Sequence, residues 1–394
     1  MGMALVESPF QSQPNPAGTI DYRSTRLMFA DNSKWHQIET SAGVYDTTVL
    51  EALDQIITTN RTNGAAVIFG FNGTPLFYAQ TAPNPVVGDN VTKDPSGTLG
   101  AASYPTSLAA VTSFVQMIIS RYNLPGGAWY DAHGATLGKG IQMWETGNEP
   151  PWDTLGNRAT APGQTIGSIN FWGTSAQLID LIQTQYAAIK AIDSSVEVLA
   201  PGMSNHAAEN NYRDMDSCFY TLGPVTGKYG YESFDSFAWH PYFTGPPGNK
   251  YGMWFAPWIG DMVTGPLGVF NIIRWMRKRG FNHRAHASEW GFDTNHSTST
   301  SLAWHQESAD FRYKWIARTF MCAAAGGMAS IHPWHWGITG SSVISGDWQN
   351  DLAGAQLAYN DCAAKLCGKT ITGGSYTVNG AVTLLFSDGT SWTV

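Results

Sequence analysis

Two glutamates lie at or shortly after the end of a short apolar run of the kind that forms a buried strand. Glu149 follows the run at 140–144, and Glu289 follows the run at 284–288. Two carboxyl groups on either side of a glycosidic bond can hydrolyse it, because one protonates the leaving oxygen while the other attacks the anomeric carbon or activates water. The sequence therefore favours glycosidic hydrolysis, and leaves open whether the carboxyl groups are spaced for a retaining or an inverting reaction.

Other polar residues occupy similar positions. His240 and Tyr242 follow a further apolar run, and Arg26 opens the earliest one. A nucleophilic carboxylate must stay ionised, which nearby cations and donors such as Arg26 and Tyr242 favour. The acid must hold its proton, so we expect Glu149 to have fewer donors and to be partly desolvated. Glu145 is the first residue after the run at 140–144, and is predicted to be a strand carboxylate that pairs with Arg26 or a similar cation.

Short apolar runs alternate along the sequence with longer helical patterns. This alternation is typical of βα units, and it predicts the strands and helices that position these residues. This rhythm predicts a (β/α)8 barrel, with catalytic groups at the C-terminal ends of its strands. The first strand is assigned to Met3–Val6 or precedes the sequence. The other seven are predicted at 26–29, 65–71, 140–144, 197–200, 236–239, 284–288 and 328–331, and helices at 47–60, 106–122, 173–192, 265–279 and 307–325.

The last part of the chain has a different pattern. A helical run at 352–366 is followed by alternating β-type residues, with Asn379-Gly380 and Asp388-Gly389 as turn signals. We predict residues 1–350 to form the catalytic barrel, and residues 351–394 to form its last helix and a small β appendage.

Composition and charge exclude several classes of protein. The 394 residues carry 22 Lys and Arg against 30 Asp and Glu, a net charge of -8, without a basic run. This argues against nucleic acid as a partner. No apolar segment is long enough to span a bilayer. Residues 1–20 lack the pattern of a signal peptide, so we expect an extracellular or periplasmic protein if a leader was removed, and a cytoplasmic one otherwise.

Three segments, WETGNEPPW, FAWHPYF and HASEWGF, closely resemble the clan A glycoside hydrolases, which are retaining enzymes on the (β/α)8 barrel. The earlier segments WHQIE, GVYD and GTP are similar to those of family 39 and its exopolysaccharide-degrading relatives. The resemblance covers roughly residues 25–340. It implies a retaining mechanism, which composition and spacing leave undecided.

The resemblance also implies a role for individual residues. Glu149 matches the general acid/base, Glu289 the nucleophile, and Asn148 the residue that binds the sugar 2-hydroxyl. His240 and Tyr242 match the pair on the sixth strand, with Tyr242 as the donor to Glu289. The remaining predicted substrate contacts are Arg26, Trp35, Trp152, Trp290, Trp334 and Trp336, the last two as a platform under the sugar.

Some of these residues could instead have a purely structural role. Glu149 beside Pro150 also fits the first turn of a helix, and Glu289 also fits a structural ion pair. The pairs His332-x-x-His335 and His283-x-x-His286 superficially suggest metal ligands, but each lacks a third ligand at a defined spacing. We interpret these histidines as ordinary hydrogen-bonded residues, and expect no metal and no organic cofactor.

The expected function is therefore a retaining glycoside hydrolase that acts on β-linked oligo- or polysaccharides, with endo action on a polysaccharide favoured. An exo-acting enzyme of the β-xylosidase type and a barrel that binds glycans without cleaving them are the alternatives. A metal-dependent hydrolase is a third reading, which predicts loss of activity with a chelator. Sugar, linkage and oligomeric state stay open.

Overall fold

The computed structural model describes residues 24–28, 32–79, 103–149, 165–167, 171–204, 219–240, 242–243, 269–292, 308–333, 354, 357–376 and 381–394. The chain divides into two units. One consists of Arg26–Ala238 and is called the N-terminal unit. The other consists of Trp239–Val394 together with Met1–Thr25 and is called the C-terminal unit.

Alternating strands and helices build the N-terminal unit. In chain order its elements are β1 (Ser24–Leu27, of which the first two residues belong to the C-terminal unit), α1 (Trp35–Ile38), β2 (Glu39–Ser41), β3 (Val44–Tyr45), α2 (Thr47–Thr62), β4 (Ala66–Gly70), α3 (Leu108–Asn123), α4 (Ala128–Leu137), β5 (Met143–Glu145), β6 (Thr165–Gly167), β7 (Trp172–Thr174), α5 (Ser175–Ile192), β8 (Glu197–Leu199) and β9 (Met203–Ser204). Strand β10 (Ser236–His240) starts in this unit and ends in the C-terminal one.

The strands of this unit form a sheet in the order β1, β4, β5, β8, β10. Neighbours run parallel, with Ile68 opposite Met143, which in turn lies opposite Glu197. Ile68, Leu199 and Ala238 form a fully buried cluster between neighbouring strands. Because parallel sheets are covered on both faces, their strands are apolar throughout, as the short runs in the sequence indicated.

Local signals in the sequence begin the helices. Asp46 is the N-cap of α2, and its carboxylate accepts from the backbone N–H groups of Thr48 and Val49. Thr174 and Gln177 form a reciprocal capping box at the start of α5. Each cap satisfies backbone donors that a helix start leaves without an intrahelical partner.

The C-terminal unit continues the same alternation and adds a separate sheet. Its elements are β11 (Tyr242–Phe243), α6 (Val269–Lys278), β12 (Arg284–Phe292), α7 (Ala309–Gly326), β13 (Met328–Pro333), α8 (Leu357–Leu366), β14 (Ile371–Tyr376), β15 (Val382–Phe386) and β16 (Ser391–Thr393). Strand β12 follows β10 in the sheet order and pairs in parallel with β13 and with β11.

The three last strands form an antiparallel sheet that packs on helix α7. Nε of Arg318 on this helix donates to the terminal Val394 carbonyl at 2.9 Å. Phe320 of α7 meets Tyr359 of α8 edge-on, with ring centroids 5.5 Å apart. The predicted (β/α)8 class with a small C-terminal β appendage is confirmed.

All seven predicted strands and all five predicted barrel helices are present, with ends that differ by a few residues. The helix α4 was not predicted. The assignment of a first strand to Met3–Val6 and the turn at Asn379-Gly380 lie outside the described residues. The turn at Asp388-Gly389 is present, and Gly389 adopts a φ of 81° there.

No described helix has the length and apolar character needed to cross a membrane. Cys322 and Cys362 are buried free thiols, and Cys218 lies outside the described residues. The two predicted domains, 1–350 and 351–394, stay a prediction.

Candidate active site

The segment that carries Glu149 extends beyond β5 and stays hydrogen-bonded to the chain that follows β8. The Thr146 N–H donates to the Leu199 carbonyl at 3.2 Å, and the Gly202 N–H donates to the Gly147 carbonyl at 3.1 Å. The Glu149 N–H donates to the Gly202 carbonyl at 2.8 Å. This ladder fixes the backbone of Glu149 although regular strand structure ends at Glu145.

Glu149 has an unusual backbone conformation. Its φ is 38°, a left-handed value that it shares with Asn32 among the described residues other than glycine. Such conformations cost free energy and persist where the surrounding structure imposes them, often at functional sites. The side chain is half-buried, which agrees with the partial desolvation expected of an acid.

Arg26, Glu145 and Asn148 form a buried polar cluster. The Arg26 guanidinium binds both carboxylate oxygens of Glu145, with Nε–Oε2 2.5 Å and NH2–Oε1 3.1 Å, and neither side chain is exposed. The same NH2 group donates to Oδ1 of Asn148 at 2.9 Å. The predicted Arg26–Glu145 pair is confirmed. Because Arg26 is buried, we assign it to the orientation of Asn148 and not to the predicted substrate contact.

Helix α5 is hydrogen-bonded to β5 and to the segment that follows it. The buried Gln185 amide accepts from Nε1 of Trp144 at 2.8 Å and donates to the Thr146 carbonyl at 3.0 Å. The sequence analysis did not identify Gln185. A polar residue on the apolar face of a predicted helix was the available signal, because a buried amide requires partners.

In the C-terminal unit, Glu289 lies on β12 and is 3% exposed. Its Oε2 is 3.5 Å from Nδ1 of His240, at the end of β10. Nε2 of His240 lies 3.1 Å from Oγ of Ser288. His240 is fully buried and contacts these protein neighbours, and its predicted substrate-binding role stays a prediction.

Strand β12 is irregular at Glu289. Ala287 pairs with Ile331 and Trp290 with Pro333, so two residues of β12, Ser288 and Glu289, lie opposite the single residue His332. This is the arrangement of a β-bulge, which re-aims side chains and is frequent next to active sites. The sequence analysis gave Ser288 no role. Its position beside Glu289 was the signal that could have identified it.

His286 and His332, which belong to the two His-x-x-His pairs of the sequence, are buried and hydrogen-bond to a serine. Nδ1 of His286 lies 2.6 Å and Nε2 of His332 3.2 Å from Oγ of Ser330, and Ser24 Oγ lies 3.4 Å from His332. His335 lies outside the described residues. His240 has the chemistry of a metal ligand, but both of its ring nitrogens already face protein partners.

Trp35 belongs to the core, contrary to its predicted contact with substrate. The ring is fully buried, stacks on Tyr78 and Phe114, and donates from Nε1 to Oε2 of Glu39 at 2.5 Å. Glu39 also accepts from the Tyr78 hydroxyl. Burial, followed by the charge of Glu39, raises the pKa of the nearby Tyr45 to about 12.

Several predicted site residues cannot be placed. Trp152, Trp334 and Trp336 lie outside the described residues, and for Tyr242 and Trp290 only the strand backbone is described. Among the rest, the structure brings Arg26 and Asn148 together in the N-terminal unit, and His240 and Glu289 together in the C-terminal unit.

No protein-family model and no curated protein matches the sequence. Solved structures do match. A GH30 endoxylanase from Clostridium papyrosolvens has a TM-score of 0.57 at 10% identity, covering 98% of this chain and 78% of that one.

A glucosidase from Croceicoccus marinus has a TM-score of 0.54 at 14% identity, covering 93% of this chain. Xylanase 10C from Cellvibrio japonicus has a TM-score of 0.53 at 11% identity, covering 93% of this chain and 71% of that one. This chain spans 66% of the length of the glucosidase. At such identities the likeness establishes the (β/α) barrel fold, and does not distinguish family 39 from other families that share it.

Proposed function

We propose that this protein is a retaining glycoside hydrolase, with Glu289 as the nucleophile and Glu149 as the general acid/base. The observation that carries the proposal is the setting of Glu289, a nearly buried carboxylate that faces His240 near the C-terminal end of a parallel strand. In (β/α) barrels the catalytic groups project from that end of the strands. The fold shared with xylanases and a glucosidase supports the same reaction class.

The reaction proceeds by two displacements. In the first, the Glu289 carboxylate forms a bond to the anomeric carbon, the glycosidic C–O bond breaks, and Glu149 gives its proton to the leaving oxygen. In the second, water attacks the same carbon, Glu149 takes the proton of the water, and the ester bond to Glu289 breaks. The sugar is released with its original anomeric configuration.

The N-terminal unit supplies the proton donor and a polar anchor. Arg26 holds the Asn148 amide through a bond to Oδ1, which leaves the NH2 group of Asn148 to bind a sugar hydroxyl. The resemblance of the WETGNEPPW segment assigns that contact to the 2-hydroxyl. We further propose that the substrate is a β-linked polysaccharide cleaved internally.

The first test is the release of reducing sugar from β-glucans, xylans, mannans and bacterial exopolysaccharides. The wild type should release sugar from one class, and Glu289→Gln should lose at least about a thousandfold in kcat, because the covalent step requires an ionised carboxylate. Glu51→Gln is the matched control, since Glu51 is an exposed glutamate of α2 and should leave activity unchanged.

The two carboxylates can be told apart chemically. An activated 2-deoxy-2-fluoro glycoside should form a stable adduct with the wild type, and peptide mass analysis should locate it on Glu289. The Glu149→Ala variant should regain activity on an aryl glycoside when azide is added, because azide needs no general base. Inverted product, or binding of a polymer without cleavage, would overturn the proposal.

A further inference from the structure

Ser288 and Glu289 are neighbours on β12, yet both face the same histidine. In a regular strand successive side chains point to opposite faces of the sheet. The bulge opposite His332 breaks this alternation, because two residues of β12 share one pairing position there. As a result, Ser288 reaches Nε2 of His240 while Glu289 faces Nδ1 of the same ring.

The three side chains form a buried relay. Ser288 and His240 are 0% exposed, and Glu289 is 3% exposed. The Ser288 Oγ–Nε2 distance is 3.1 Å, within hydrogen-bond range, and the Nδ1–Oε2 distance is 3.5 Å. Contacts of the second length are common in unliganded active sites and shorten when substrate binds.

The chemistry of imidazole restricts how this relay is protonated. A neutral imidazole has one donor nitrogen and one acceptor nitrogen. An ionised Glu289 can only accept, so Nδ1 must carry the proton to bind it. In the neutral ring Nε2 is then an acceptor, and the Ser288 hydroxyl is the donor at 3.1 Å.

We propose that Ser288 is a positioning residue: its hydroxyl donates to Nε2 of a neutral His240 ring whose tautomer the Glu289 carboxylate selects, and so holds that ring in the orientation from which Nδ1–H donates to Glu289. This inference rests on the proposed function of Glu289 for its catalytic consequence, but not for its structural content. Ser288 thereby keeps the nucleophile oriented through an intervening ring, without contact between its hydroxyl and the substrate.

The tautomer can be measured directly in the intact protein. Histidine labelled on both ring nitrogens with the heavy nitrogen isotope gives NMR shifts that separate N–H from unprotonated nitrogens, and His240→Gln identifies the His240 signals. We expect a protonated Nδ1 and an unprotonated Nε2 in the wild type at neutral pH. A protonated Nε2, alone or in an imidazolium, would overturn the inference.

Substitutions at Ser288 separate the hydroxyl from packing. Thr and Val have nearly the same shape, and only Thr keeps a hydroxyl. Ser288→Thr should retain the wild-type Nε2 shift and kcat, whereas Ser288→Val and Ser288→Ala should shift the Nε2 signal toward that of a nitrogen without a hydrogen-bond donor and lower kcat by roughly tenfold with little change in KM. Equal kcat in the Thr and Val variants would contradict the inference.

Ser330→Ala is the control, because it removes a buried serine hydroxyl from His286 and from His332 but keeps Ser288, His240 and Glu289 unchanged. The His240 signals should not change in that variant. A wild type that lacks glycosidase activity but shows the expected tautomer would refute the proposed function alone. An active wild type with the other tautomer would refute the role of Ser288 alone.

Discussion

Glu149 combines a chemical role with a strained backbone, and the two can be separated by substitution. At a φ of 38° a residue with a Cβ is strained by about 1–2 kcal/mol, which exceeds the roughly 0.4–1 kcal/mol by which glycine gains entropy in the unfolded chain. We therefore expect Glu149→Gly to be more stable than Glu149→Ala by about 0.5–1 kcal/mol, measured by urea unfolding.

Both of these variants lose the carboxylate, so both should be inactive on natural polysaccharides. The Ala variant serves as the control for loss of the side chain. If Glu149→Gly were the less stable of the two, the backbone of Glu149 would not be strained.

Sequence reasoning selected the two proposed catalytic acids but not the residues that contact them. Glu149 and Glu289 follow apolar runs and lie within recognisable motifs, and the Arg26–Glu145 pair follows from the need to neutralise a buried charge. Ser288 was overlooked because its partner His240 is 48 residues away along the chain and lies on another strand. Trp35 was misassigned because the type of an aromatic residue does not reveal whether it is buried.

At the scale of elements, helix α5 holds the segment that carries Glu149. Gln185→Leu would leave Nε1 of Trp144 and the carbonyl of Thr146 without this partner, at about 1–3 kcal/mol for each buried group. We expect a loss of roughly 2–4 kcal/mol in the free energy of unfolding and about a tenfold fall in kcat, from parallel denaturation and rate measurements.

The neighbouring Gln183 provides the matched control for this prediction. Its amide donates to the Tyr229 carbonyl at 3.2 Å, away from β5. Gln183→Leu should lower stability by a smaller amount and leave kcat near that of the wild type. A similar fall in kcat for both variants would mean that α5 affects activity only through general stability.

The C-terminal end of α5 predicts a dependence of stability on pH. Burial raises the pKa of Asp193, but hydrogen bonds from Lys139, Ser195 and Asn123 outweigh it and lower the pKa to about 2. A depressed pKa means that the stabilisation is present above the unfolded value of roughly 4 and is lost as the pH falls toward 2.

Accordingly, Asp193→Asn should be less stable than the wild type by roughly 1–2 kcal/mol at pH 6, and the difference should shrink between pH 4 and pH 2. Urea unfolding across this range measures it. Glu51→Gln, at an exposed position, should show no such trend. A difference that stays constant with pH would exclude the ionised Asp193 as its source.

Elements with a strong periodic pattern could be predicted, and those without one could not. The helix α4 (Ala128–Leu137) contains Gly134 in its interior and has Gly127 as its N-cap residue, so propensity argues against it. Its existence depends on packing, because Trp129 is buried and its Nε1 donates to Thr58 of α2.

The bulge in β12 has no periodic signal in the sequence either. A single extra residue in a strand can be recognised only when the pairing with the neighbouring strand is known.

At the scale of the whole molecule, the C-terminal sheet is integral to its unit. Trp392 of β16 is 7% exposed, and the Lys365 ammonium of α8 lies 6.0 Å from the centroid of its ring. We expect Trp392→Ala to cost about 3 kcal/mol and to speed amide hydrogen exchange in α7 as well as in the sheet, since β14 and β15 pack on that helix.

Leu385→Ala is the control for this prediction, because Leu385 of β15 is 48% exposed. It should cost less than about 1 kcal/mol and leave exchange in α7 unchanged. Faster exchange confined to the sheet in Trp392→Ala would instead mark the sheet as an independently unfolding appendage.

The barrel class was predictable from the alternation of short apolar runs with helical patterns along the sequence. The domain boundary predicted at residue 350 depends on which elements pack together, and this alternation does not encode such packing.

The bulge in β12 also compensates a second irregularity in the pairing of this strand with β13. One extra residue of β13 lies between the partners of Ala285 and His286, and the extra residue of β12 at Ser288 and Glu289 restores the register, so that the pair Ala285–Met328 and the pair Trp290–Pro333 have the same offset. Deleting Ser288 or Glu289 would leave the extra residue of β13 uncompensated and turn every following side chain of β12 to the other face. A deletion scan should therefore find this position far more sensitive than a substitution scan does. The number of residues in the strand matters there as well as the chemistry of their side chains.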